Sequence, residues 1–296
     1  MEIEIPNKVD FIGVGAPKSG STWLGECFIE HPQICFPTKK ELNFFNDWTT
    51  PLVDSSYPNG VAWYLKQFTD YVDGQVVGEF SPSYLADANA YSRIKKYFPE
   101  TKIIFILRNP VDMIYSYYWY RKTSIKWKVP ERFEYLLEAK SKNNFDISLG
   151  FGEYYKYVKN YYEDFPKKNI LVCLYDDLQE NPKLLLENIF EFLGVEKSFE
   201  PKVLHRIVNK GRVTSSEFLK DFSTFSLTTL TKLGLSSVST KVTHSRLLYQ
   251  VYRKINTVSG NYPQMTSEIR QKLKVHYRQD IEKLEILVDK DLGAWY

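Results

Sequence analysis

Three cysteines, Cys27, Cys35 and Cys173, are all that 296 residues contain, an odd number with no CxxC pair. That argues against a disulfide-built scaffold and a cysteine zinc site, and leaves reduced, buried thiols as the plain reading. Excess charge of one sign is scarce too, because 39 Lys and Arg against 36 Asp and Glu leave a formal +3. So small an excess suits local anion sites and argues against a nucleic-acid partner. Long apolar runs are missing: Ile103 to Leu107, for example, is far short of the roughly 20 residues a helix needs to span a bilayer. The opening stretch, Met1-Glu2-Ile3-Glu4-Ile5-Pro6, has neither a basic start nor an apolar centre, so no membrane association and a soluble, cytoplasmic protein are expected. What the chain does have is 43% hydrophobic residues, enough for a substantial core, and the expectation is one domain over 1–296.

Three stretches are short, β-branched and apolar on both faces, as buried parallel strands are: Val9 to Val14, Lys102 to Leu107 and Asn169 to Tyr175. Gln75 to Phe80 is a weaker fourth. Helical patterns lie between them at Thr22 to Glu30, Ala88 to Tyr97, Val111 to Arg121, Tyr154 to Asp164 and Pro182 to Leu193. Asn109-Pro110 and Asn181-Pro182 supply cap-plus-proline starts for two of these helices. Alternating strand and helix predicts a parallel sheet covered on both faces. From Thr214 onward the strand signal disappears, and Ser215 to Leu233, Ser245 to Asn256 and Thr266 to Val288 read as helices. Gly234 to Thr243, rich in Ser, Thr and Val, reads as a mobile connection.

The most informative segment runs from Val9 to Leu24: an apolar strand, the loop Gly15-Ala16-Pro17-Lys18-Ser19-Gly20, then Ser21, Thr22 and Trp23 opening a helix. A small-residue turn feeding a helix N-terminus aims backbone N–H groups at an anion. Lys18 adds a mobile positive charge, and Ser19, Ser21 and Thr22 add hydroxyls. In an ATP-binding loop of the Walker A type the lysine follows the second glycine; here Lys18 precedes Gly20.

The second segment is Lys102 to Ser116. Its strand delivers Arg108 to the carboxyl end of the sheet, where ligands sit in open α/β folds, and Ser116 lies two turns beyond the Asn109 cap. An arginine fork with a nearby hydroxyl suits a phosphate dianion. The plainer alternative is an ion pair between Arg108 and Asp112. A third segment, Lys39-Lys40-Glu41-Leu42-Asn43-Phe44-Phe45, places a carboxylate beside two lysines and two aromatics.

The loop from Pro17 to Leu24 and the segment from Arg108 to Ser116 resemble the 5′-phosphosulfate and 3′-phosphate loops of sulfotransferases that use 3′-phosphoadenosine 5′-phosphosulfate. The resemblance continues through Asp164-Phe165-Pro166, Tyr175-Asp176-Asp177-Leu178 and Phe192-Leu193-Gly194, covering about 8–195, with a looser echo at Leu284 to Trp295. It implies an α/β, three-layer, P-loop NTPase-like fold with a central parallel sheet of about five strands and a helical C-terminal part over 196–296. It also implies sulfuryl transfer without a metal, with Lys18 and Thr22 at the donor's 5′ end and Arg108 and Ser116 at its 3′-phosphate. Glu41 matches the glutamate base of the heparan-sulfate-type and bacterial branch; its bland reading is a solvated glutamate. None of His31, His205, His244 or His276 matches the histidine base of the small-phenol branch, and His31 reads as structural.

Four further expectations follow. Asn209-Lys210-Gly211-Arg212 resembles the loop that closes over the 3′-phosphate, although a basic surface turn is an equal alternative. Trp23 lies near the adenine or in the core. Lys40, Phe44, Glu79, Tyr84 and Tyr115 are candidates for contact with a small-molecule or carbohydrate acceptor. A nucleotide kinase or NTPase, and a non-catalytic nucleotide or sulfated-glycan binder, remain the other readings.

Overall fold

The computed structural model describes residues 5–47, 55–123, 129–138, 147–206 and 262–296, together with the main chain of 212–214 and 257–259. Five strands, β1 (Phe11–Gly15), β2 (Ile34–Cys35), β3 (Val76–Phe80), β4 (Lys102–Leu107) and β5 (Ile170–Leu174), form one sheet in the order β2-β3-β1-β4-β5. Every pairing is parallel, with Phe11 beside both Gly78 and Lys102, and Ile103 beside Ile170. The period-2 alternation of strand side chains splits the core into two layers. Phe11, Phe80, Ile104, Ile106 and Cys173 face α1 (Ser21–Glu30) and a later helix, Pro182–Leu193. Ile12, Val14, Val77, Ile103, Phe105 and Val172 face the opposite layer.

That opposite layer contains α3 (Ala90–Tyr97), α4 (Pro110–Lys122), α5 (Tyr154–Asp164) and the long C-terminal helix Ser267–Val288. The remaining helices are α2 (Gly60–Leu65) and α6 (Tyr175–Glu180); Pro182–Leu193 is then α7 and Ser267–Val288 is α8. Local chemistry sets the helix starts: the side chains of Asn109, Asn181 and Thr266 accept from the amides of Val111, Leu184 and Ile269. In α8, Ile269, Leu273, Tyr277, Ile281, Leu284 and Val288 recur every three or four residues and are buried.

Helix α1 leaves β1 towards β2 and α4 leaves β4 towards β5, so the chain diverges between two neighbouring strands. Their carboxyl ends open the crevice in which ligands of such sheets bind. One expectation is corrected. A strand does occur beyond Thr214: β6 (Arg212–Thr214) and β7 (Thr257–Ser259) pair antiparallel. Three-residue strands are too short to show a periodic pattern. The helices expected at 215–233 and 245–256, and the connection at 234–243, lie outside the described residues.

Candidate active site

The turn after β1 is stitched to the neighbouring strand by Ala16, whose amide donates to the Ile106 carbonyl at 2.8 Å. Lys18 and Gly20 take left-handed conformations, with φ of 61° and 97°. At Gly20 a Cβ would stand 2.6 Å from Leu178 Cδ2, a contact the leucine could relieve by turning, so it is the left-handed φ that calls for glycine. Gly20 caps α1 without a side-chain hydrogen bond, and the first turn holds no acidic residue. Its amides and dipole are therefore presented to an anion with no internal carboxylate competing. Lys18 Nζ stands 4.7 Å from the centre of the Tyr120 ring, and the Thr22 hydroxyl accepts a hydrogen bond from Lys40 Nζ. Ser21 is buried; Ser19 is buried and its hydroxyl turns back to the Pro17 carbonyl at 3.3 Å. Trp23 packs in the core layer beneath α1, which favours its core reading.

Arg108 leaves the end of β4 and donates from Nη1 to the Lys18 carbonyl at 3.1 Å. Its guanidinium lies 4.6 Å from the centre of the Tyr175 ring. Asp112, the expected alternative partner, pairs instead with Arg270 of α8 at 2.7 Å. Among the described residues Arg108 therefore has no carboxylate partner, and its charge is available for an anion beside the Lys18 turn. Tyr154 is fully buried behind it, and its hydroxyl has no hydrogen-bond partner among the described residues. Ser116 lies on α4 and is 6% exposed; the contacts of Arg108 are with Lys18 and Tyr175, not with Ser116. Sequence reasoning missed Tyr175. It is the first residue after β5, so the strand-end rule that singled out Arg108 applies to it equally.

Glu41 is brought to the same place. Lys40 Nζ pairs with Glu41 Oε1 at 3.1 Å while also donating to Thr22, so one ammonium joins the α1 hydroxyl to the carboxylate. The Lys40 and Glu41 side chains stay 37% and 38% exposed.

Four of the acceptor candidates are corrected by burial. Glu79 and Tyr84 have no exposed surface, and Tyr64, Ser81 and Tyr84 all donate hydroxyl hydrogen bonds to the Glu79 carboxylate. Burial pushes the Glu79 carboxyl up to about 7, against the opposing pull of these hydroxyls and of the Leu42 amide. Phe44 is fully buried, stacked on Tyr64 with ring centres 4.8 Å apart. Tyr115 is 9% exposed and donates to the Pro263 carbonyl at 2.8 Å, bracing the C-terminal segment. Lys40 is the acceptor candidate that keeps substantial exposure. Lys210 and Gly211 lie outside the described residues; Arg212 opens β6, which runs beside α4. His31 is buried, its ring nitrogens bonded to the Glu196 carbonyl and the Gln33 amide.

Fold and site together define a P-loop-like α/β protein with a candidate anion cradle across two adjacent strand ends. The chain belongs to the sulfotransferase family, whose Sulfotransferase domain matches residues 8–285. It is 35% identical over 126 residues to the Membrane-associated sulfotransferase kil1 of Dictyostelium discoideum, covering 42% of this chain and 24% of that protein. It is 27% identical to the human Heparan sulfate glucosamine 3-O-sulfotransferase 3B1, over 67% of this chain and 49% of that one. The chain thus spans about a quarter and about a half of these two curated relatives, respectively. The crystal structure of a sulfotransferase from Alicyclobacillus acidocaldarius has the same fold, with a TM-score of 0.68, 22% identity and coverage of 97% and 98% of the two chains. No described helix is long and apolar enough to cross a membrane.

Proposed function

We propose that this chain transfers a sulfuryl group from 3′-phosphoadenosine 5′-phosphosulfate to a hydroxyl or amine of a small-molecule or carbohydrate acceptor, with Glu41 as the general base. Family membership supports the reaction class. The contact that carries the reading is Lys40, held between Thr22 at the mouth of the anion cradle and Glu41. This contact supports Glu41 as a base acting at the proposed donor site.

The donor set fits a ligand with two separated anionic groups. The start of α1, which no side chain caps, would hold the 5′ end together with Lys18 and Thr22; Arg108, steadied by Tyr175 and the Lys18 carbonyl, would hold the 3′-phosphate together with Ser116. Lys210, Gly211 and Arg212 are assigned the closing contact on that phosphate. The bound donor supplies an activated sulfuryl group on a phosphate leaving group. Glu41 takes the acceptor's proton, which makes the attacking oxygen or nitrogen a better nucleophile. Lys18 and Lys40 supply the positive charge that offsets what gathers on the leaving phosphate. A kinase reading is disfavoured by Lys18, which precedes the glycine that a Walker A lysine follows.

Incubation with sulfur-labelled donor and a panel of phenols, alcohols, amines and oligosaccharides tests the proposal. Label should pass to at least one acceptor, and 3′-phosphoadenosine 5′-phosphate should inhibit. Absence of transfer together with no saturable binding of that nucleotide, or phosphoryl transfer from MgATP instead, would overturn it.

A further inference from the structure

The segment that presents Glu41 is held in conformations its residues do not favour. Glu41 and Asn43 have φ of 58° and 52°. Left-handed backbone is uphill for residues other than glycine and persists only where the surroundings over-determine it. The surroundings here converge on Glu79. The Ser81 hydroxyl donates to Glu79 Oε2 at 2.6 Å and accepts from the Asn43 amide at 3.0 Å. In parallel, the Tyr84 hydroxyl donates to Oε1 at 2.7 Å and accepts from the Phe44 amide at 2.8 Å. The Leu42 amide bonds the carboxylate directly, and the Tyr64 hydroxyl adds a third O–H donor at 3.3 Å.

Proton bookkeeping makes this arrangement directional. A backbone amide can only donate, so a hydroxyl that receives one must send its single proton onward. For Ser81 and Tyr84 the onward acceptor is Glu79, which must accept on both oxygens at once. A carboxylate does that; a protonated acid carries a hydrogen that faces another donor. The carboxylate is itself registered to the donor cradle, because Glu79 pairs with Ile12 of β1 and the Ser81 amide bonds the Gly13 carbonyl at 2.9 Å.

We propose that ionised Glu79 is a positioning residue: through the Ser81 and Tyr84 hydroxyls it clamps the main chain of residues 42–45 and so fixes Glu41 against Lys40 and Thr22. The catalytic consequence rests on the sulfuryl-transfer reading; the clamp does not. Among the described residues, the groups that face Glu79 are the hydroxyls of Tyr64, Ser81 and Tyr84 and the Leu42 amide, with no charged side chain among them. As pH falls through about 7 a proton must enter between these donors, turn one hydroxyl away and release one amide.

Glu79→Gln and Ser81→Ala in the full chain provide the test; the second breaks one relay while leaving the carboxylate in place, should the first not fold. Amide exchange at residues 42–45 should quicken about tenfold or more, while amides of β1 and α1 keep their protection. Turnover should fall about tenfold or more with the donor KM within about threefold, and the acid limb near pH 7 should vanish in Glu79→Gln. Unchanged exchange in both variants, or quickened exchange with unchanged turnover, would overturn the proposal. If the wild-type protein transfers no sulfuryl group, the functional reading fails, and the exchange result still decides the clamp.

Discussion

Arg108 owes its availability to a partner that went elsewhere. Asp112, four residues along, is taken by Arg270, so the guanidinium rests on a carbonyl and an aromatic face and keeps its charge for a ligand. Hydrogen bonds to charged groups contribute roughly 1.5–3 kcal/mol each. Arg108→Ala should therefore weaken 3′-phosphoadenosine 5′-phosphate about 10- to 100-fold by calorimetry and the 3′-dephosphorylated nucleotide far less. Equal losses would refute the 3′-phosphate assignment. Glu79 carries a cost that depends on pH. Its carboxyl titrates near 4.5 when free and near 7 when buried, so over that interval the folded state keeps a proton that the unfolded chain has shed. Its contribution to stability is therefore fully present at low pH and is lost as pH rises through about 7, by up to about 3 kcal/mol. Wild-type Tm should fall relative to Glu79→Gln between about pH 5 and about pH 8; a constant difference would contradict the shift.

At the scale of elements, α1 and the turn before it decide whether the cradle forms. Gly20→Ala would force a Cβ into a φ of 97°, and it should lower the unfolding free energy from denaturant titration by about 1–2 kcal/mol. A change within about 0.5 kcal/mol would show that the turn relaxes freely. The long elements were legible in the sequence because their patterns are local. β1, β4 and β5 are apolar on both faces, and α4 and α7 open on Asn-Pro. Short elements were not: α2 and α6 have six residues each, and β6 and β7 three, too few to establish a period. The site divides in the same way. Lys18, Thr22 and Arg108 stand out beside the strands that carry them, whereas Asp112 with Arg270 and Glu41 with the clamp at Glu79 depend on segments remote in the chain. The acceptor contact expected of Glu79, Phe44, Tyr84 and Tyr115 was misjudged for that reason, since burial is decided by what folds over a residue.

Over the whole molecule, two core layers flank one sheet. The layer with α1 carries the proposed donor cradle, while the opposite layer contains α4 and is braced by the C-terminal segment. Arg270 reaches Asp112 of α4, Tyr277 donates to the Leu149 carbonyl at 2.8 Å, and Trp295 Nε1 donates to Asp176 of α6 at 2.8 Å. Residues from 112 to 295 thus brace the elements around Arg108 and Tyr175, and the loop bearing Glu41 is tied to α1 through Lys40 and Thr22. The most direct test of this account is the turnover of Glu41→Gln with 3′-phosphoadenosine 5′-phosphosulfate and the acceptor that gives the highest wild-type rate. Loss of a general base predicts a fall of about a hundredfold or more, with 3′-phosphoadenosine 5′-phosphate affinity within about threefold of wild type. A rate near that of the wild type would contradict it.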